Sequence, residues 1–127
     1  MGVQITNMFS DYGQAALNDL TLKKNTVFHL ADHGLKHILE DQMQYTHLLA
    51  ATSCPDAIAP SLGQCINQHY NNILSTSHVI DIVQGCAGGI SAMILASQLA
   101  EFNKSNILVV AADAAQKATS PASLVYE

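Results

Sequence analysis

The sequence predicts an α/β domain on a largely parallel sheet, with a buried central helix after Cys86. Three observations predict it. Apolar runs of strand length alternate with segments of helical period. The junction Gln84-Gly85-Cys86-Ala87-Gly88-Gly89 joins a strand to a helix through glycines. No repeat, low-complexity stretch or linker divides the 127 residues, which suits one domain.

The elements follow in order. From Thr26 to Asp41 the residues Val27, Leu30, Ala31, Leu35, Ile38 and Leu39 recur at three- and four-residue steps, an amphipathic helix begun by a Thr cap and packing one face on a sheet. Tyr45 to Ala51 reads as a buried strand that ends in a Ser53-Cys54-Pro55-Asp56 loop. Pro60 and Ser61 open a second helix that puts Leu62, Cys65, Ile66 and His69 on one face and ends near Asn71-Asn72. His78 to Val83 is a second strand. The helix from Ala87 to Glu101 is apolar over nearly its whole circumference, interrupted only by Ser91, Ser97 and Gln98, so it should be buried on all sides. Ile107 to Ala112 is a third strand, closing a β-α-β unit with the right-handed crossover such units adopt. The tail from Ala114 to Glu127 reads as a loop. Three or four strands and two outer helices cannot cover an all-apolar helix, so another half or another chain should sit against it.

Composition excludes whole classes. With 49% hydrophobic and 12% charged residues the chain is too apolar for disorder. Its formal net charge is −5 and every fixed positive charge is a lysine, so no basic stripe or arginine fork exists for nucleic acid. The longest apolar run, Ile107 to Ala112, is far short of the roughly 20 residues of a bilayer span. Three cysteines, Cys54, Cys65 and Cys86, fit neither a disulfide framework nor a short-armed zinc site, and point to free thiols in a reducing compartment. No basic cluster precedes an apolar region at the start, so the chain reads as cytoplasmic. Met1 to Thr6 matches the short N-myristoylation pattern, which six residues meet easily by chance.

Cys86 is the candidate catalytic residue. A helix N-terminus offers backbone N–H groups and partial positive charge to a thiolate, and glycines at 85, 88 and 89 admit close approach of substrate. Two readings stand from position alone: a nucleophile that carries an acyl group as a thioester, and a small thiol packed under a Gly-rich helix start. The Gly-x-Ser-x-Gly elbow of hydrolases is not met, because Gln84 stands where its first glycine belongs.

Leu49-Ala50-Ala51-Thr52-Ser53-Cys54-Pro55-Asp56, Ala59-Pro60-Ser61, Asp81 to Gly89, and Leu108-Val109-Val110-Ala111-Ala112-Asp113 stand in an order and at spacings that resemble β-ketoacyl-(acyl-carrier-protein) synthase III, of the thiolase-like superfamily. The resemblance runs from about Asn25 to Pro121, so residues 1–127 read as a single partial thiolase-like N-terminal domain with a poorly matched leader over 1–24. It implies that Cys86 takes an acyl group from acyl-CoA and that the group is condensed with malonyl-acyl carrier protein. Acyl-CoA is then a substrate, and no cofactor or metal is implied. It further implies two similar halves, with the helix after the cysteine one of a central pair, and a dimer in which the loop around Ile58 and Ala59 closes the neighbour's acyl pocket.

The departures matter too. The family's catalytic His and Asn lie downstream of its cysteine, whereas His29, His33, His37, His47, His69 and His78 all precede Cys86. That pair stabilises the carbanion and oxyanion of condensation, so a second half must supply it. The family's opening strand and its coenzyme A-holding Arg and Trp are also unmatched. The alternative is a non-catalytic remnant or partner subunit of a thiolase-fold assembly. It is favoured by the acidic balance, which repels an acidic carrier protein. A cysteine hydrolase or amidotransferase-like domain ranks lowest, since no histidine follows Cys86.

Other constellations have plainer readings. His29, His33 and His37 share a helix face at four-residue steps and so could hold a divalent metal, against a solvated polar face as the ordinary explanation. Cys54 and Cys65 need no function. His69 and His78 flank a surface turn, and Asp113 reads as a structural residue at a strand end.

Overall fold

The computed structural model describes residues 2–10, 26–75 and 77–114. In chain order it contains α1 (Val27–Ile38), β1 (Tyr45–Ala51), α2 (Leu62–His69), α3 (Asn71–Leu74), β2 (His78–Ile82), α4 (Gly88–Asn103) and β3 (Asn106–Ala111). The strands form one parallel sheet in the order β2-β1-β3. β1 is central and is paired along its length, with Leu49 opposite Ile80 on one side and Val109 on the other.

The alternation of side chains along β1 sets the layers. Leu48 and Ala50 face α1, α2 and α3, where Val27, Ala31, Leu35, Leu62, Ile66 and Leu74 join them in the larger core. Leu49 and Ala51 face the other way, onto Ala92 and Ala96 of α4. β1 is therefore buried on both faces, as its unbroken apolar run requires. Leu48 and Leu49 are fully buried, and each burial contributes about 1.5–3 kcal/mol.

Aspartates fix the helix starts. Thr26 caps α1 by accepting from the His29 N–H, and the Asp56 carboxylate accepts from the N–H groups of Val27 and Phe28. Ser61 and Gln64 form a capping box on α2. Asp81, from β2, accepts from the Gly63 N–H at 2.8 Å and from the Ser61 hydroxyl at 2.6 Å. Gly63 is required there, since a Cβ would stand 2.6 Å from Val79 Cγ1. The Ala59–Pro60 peptide bond is cis.

The expected Thr cap, the strand Tyr45–Ala51 and the order of helices and strands all appear. The second helix begins at Leu62, with Ser61 as its cap. The short α3 was not expected. Within this chain the helix after Cys86 is covered on one side only: Ala92 and Ala96 pack on the sheet, whereas Ile90, Met93 and Ile94 are exposed, the face for which a cover from another half or another chain was expected. The described residues offer it a single sheet face. The expected tail loop falls, beyond Ala114, outside the described residues, as do Met1 of the acylation pattern and residues 11–24 of the leader. Among the described residues no helix is long and apolar enough to cross a membrane.

Candidate functional site

The connection leaving β1 leads to the helices on one face of the sheet, and that leaving β2 leads to α4 on the other. A crevice opens at the carboxyl ends of parallel strands where connections diverge in this way. Here it is a cavity of about 150 Å³, lined by Ala51 and Thr52 at the end of β1, Ala111 and Asp113 at the end of β3, and Cys86 and Gly88 at the start of α4.

Cys86 precedes Ala87, the residue that caps α4, and no side chain caps this helix N-terminus. Gly85 makes the turn from β2, with a φ of 54° that an L side chain adopts only with strain. The Gly88 N–H closes the turn on the Gly85 carbonyl at 3.2 Å. Gly88 itself is buried against Ala51 and Ile82, which holds the helix start close to the sheet. Cys86 is exposed, whereas Cys54 and Cys65 are half-buried, and all three are free thiols. The reading of Cys86 as a small thiol packed beneath the helix does not fit its exposure.

The opposite wall is held by Asp113. Its Oδ1 accepts from the Thr52 hydroxyl and from the Ser53 N–H, at 3.0 and 2.6 Å, with Cys54 Sγ at 3.9 Å. This is the structural role expected of Asp113. Its partners were not legible, although Thr52 and Asp113 are both polar residues at the ends of apolar strands, which is the available signal. Asp81 was likewise missed as an anchor for α2.

The six histidines lie elsewhere, and none lines the cavity. On α1, the rings of His33 and His37 are 5.3 Å apart, but Phe9 from the leader stacks on His37 at 4.0 Å and meets His33 edge-on. Among the described residues no group of three His, Cys, Asp or Glu side chains is placed to hold a metal ion. His69 lies beside Phe28, Tyr70 and Asp32. His78 pairs across the sheet with His47. A larger hollow of about 590 Å³ lies between Phe9, Leu30, Met93 and Val110, beside β3.

The arrangement is a small α/β domain: a three-stranded parallel sheet, with the strand-to-helix turn that bears Cys86 set at the carboxyl ends of its strands. Among solved structures it is similar to β-ketoacyl-(acyl carrier protein) synthase III of Thermus thermophilus, with a TM-score of 0.59 and 24% identity over 72% of this chain and 28% of that one. The 3-oxoacyl-(acyl-carrier-protein) synthase III of Aquifex aeolicus VF5 gives 0.64 and 24% over 77% of this chain and 33% of that one. An OleA variant of Xanthomonas campestris gives 0.57 and 18% over 77% and 32%. The chain therefore shares the fold of part of these enzymes, spanning about a third of their length. No family model matches it, and no curated protein does.

Proposed function

We propose that this chain is the nucleophile-bearing part of a ketosynthase III-like acyl-condensing enzyme. The observation that carries the reading is the exposed Cys86 at the N-terminus of α4, on the rim of a cavity at the carboxyl ends of β1 and β3. The shared fold supports it.

In this reading the Cys86 sulfur attacks the thioester carbonyl of acyl-CoA. A new C–S bond forms at Cys86, the bond to coenzyme A breaks, and the departing thiolate takes up a proton. Malonyl-acyl carrier protein then loses carbon dioxide, and the resulting carbanion attacks the Cys86 thioester, giving β-ketoacyl-acyl carrier protein and restoring the thiolate. The His and Asn of condensation come from a second half, since none of the six histidines lines the cavity. The exposed face of α4 is the place for that half to dock, and a homodimer extends the same assembly.

The test is the intact mass after incubation with acyl-CoA. A thioester adduct that hydroxylamine removes and Cys86→Ser abolishes is the expected result. No adduct, or one that survives Cys86→Ser, supports the non-catalytic partner subunit instead.

A further inference from the structure

We infer that His47 and His78 form a two-histidine binding site for a divalent transition metal ion at the amino-terminal edge of the sheet. The parallel register sets His47 directly opposite His78, so both side chains stand on the same face. Their ring centroids are 5.3 Å apart, with planes inclined at 38°. For imidazole nitrogens at about 2.1 Å from a tetrahedral ion, with each ring centre about 1.2 Å further out, the two centroids come to about 5.3 Å apart.

The hydrogen bonds around His47 prepare it as a ligand. Thr46 Oγ1 lies 2.9 Å from Ser105 Oγ, 3.5 Å from the Asn106 carbonyl oxygen and 2.9 Å from His47 Nδ1, so it holds the ring in place. In the tautomer whose Nδ1–H donates to this hydroxyl, Nε2 keeps the lone pair that a metal takes. The β1–β3 register is irregular between Tyr45 and His47, at Thr46. Irregularities of this kind re-aim a side chain, and here they let one hydroxyl reach both Ser105 and the ring.

His78 is exposed and His47 partly so, which leaves the remaining coordination positions to water or an outside ligand. Two imidazoles select copper, nickel or zinc over magnesium or calcium. The site is at the end of β1 opposite the Cys86 cavity and does not depend on the acyl-transfer reading.

The experiment is a Ni²⁺ titration of the full chain, followed by paramagnetic broadening of the histidine ring protons in NMR. His47 and His78 should broaden first and together. Thr46→Val should weaken binding by about 10- to 100-fold, as loss of an orienting partner does, and His78→Asn by at least as much. The double variant His33→Asn/His37→Asn should leave it unchanged. His78 is exposed, so His78→Asn leaves the core untouched, and circular dichroism checks this. Earlier broadening at His33 and His37, wild-type affinity in His78→Asn, or no Ni²⁺ binding in the wild type would each overturn the assignment.

Discussion

The Thr52 hydroxyl donates to Asp113 Oδ1 at 3.0 Å, and this bond ties the carboxyl end of β1 to that of β3, sixty-one positions later in the chain. Between them the two residues form the wall of the cavity that faces Cys86. Thr52 is also, among the described residues, the buried polar one, and its partner is a charged carboxylate.

Asp113→Ala should therefore destabilise the fold by about 1–3 kcal/mol, the worth of hydrogen bonds to a charged acceptor. Asp113→Asn keeps an acceptor oxygen and should lose less. Urea denaturation of the two variants measures the difference. Equal stability of Asp113→Ala and the wild type would show that the bond holds nothing.

Gly63 tests the contact between α2 and β2. A methyl group there would stand 2.6 Å from Val79 Cγ1 and 3.0 Å from Asp81 Oδ1. Gly63→Ala should cost about 1–3 kcal/mol by overpacking, despite the better helix propensity of alanine. Val79→Ala in the same chain should recover part of the loss, and a denaturant midpoint reports both.

Tyr70 carries a pH dependence. Its hydroxyl donates to the Asp32 carboxylate. Burial first, then that bond and the Asp32 charge, hold the phenol pKa above its usual 10.0. A pKa raised in the folded state means that the native protein keeps a proton the unfolded chain gives up. The stabilisation is complete below about pH 10 and is lost as pH rises beyond it. Tyr70→Phe should be less stable than the wild type at pH 8, and the gap should narrow above pH 10. Thermal melts across that range provide the check, and a gap that does not change with pH would refute the linkage.

The outer face of α4 should drive association. Ile90, Met93 and Ile94 are exposed side by side on a helix with no charge before Glu101. Exposed apolar patches of this kind bind partners or aggregate. Ile90→Glu/Ile94→Lys should lower dye binding and concentration-dependent association, measured by sedimentation, with unfolding free energy changed by less than about 0.5 kcal/mol. Unchanged sedimentation would show that this face does not associate in the isolated chain.

How much was legible depended on where each signal lay. Local period and capping chemistry located β1, α1 and the start of α2 to within a few residues, because Thr26, Ser61 and the run Leu48 to Ala51 act on their near neighbours. The resemblance carried the fold, and its Cys86 block placed the cavity. The pairings Thr52–Asp113, Ser61–Asp81 and His47–His78 were not legible, since each depends on strand order and register. The open face at Ile90 agrees with the expectation that these elements cannot cover an all-apolar helix. Apolar periodicity reports that a face needs a cover, and does not say what supplies it.

The central position of β1 also sets the timing of assembly. Leu49 pairs with Ile80 and with Val109, thirty-one and sixty positions later. Non-local parallel pairing of this kind folds slowly, because loop closure precedes its reward. During synthesis, at about 5–20 residues per second, β1 leaves the ribosome several seconds before β3. Until then its most apolar segment has an open edge. A chain stalled before Asn106 would present that edge to chaperones or to other nascent chains.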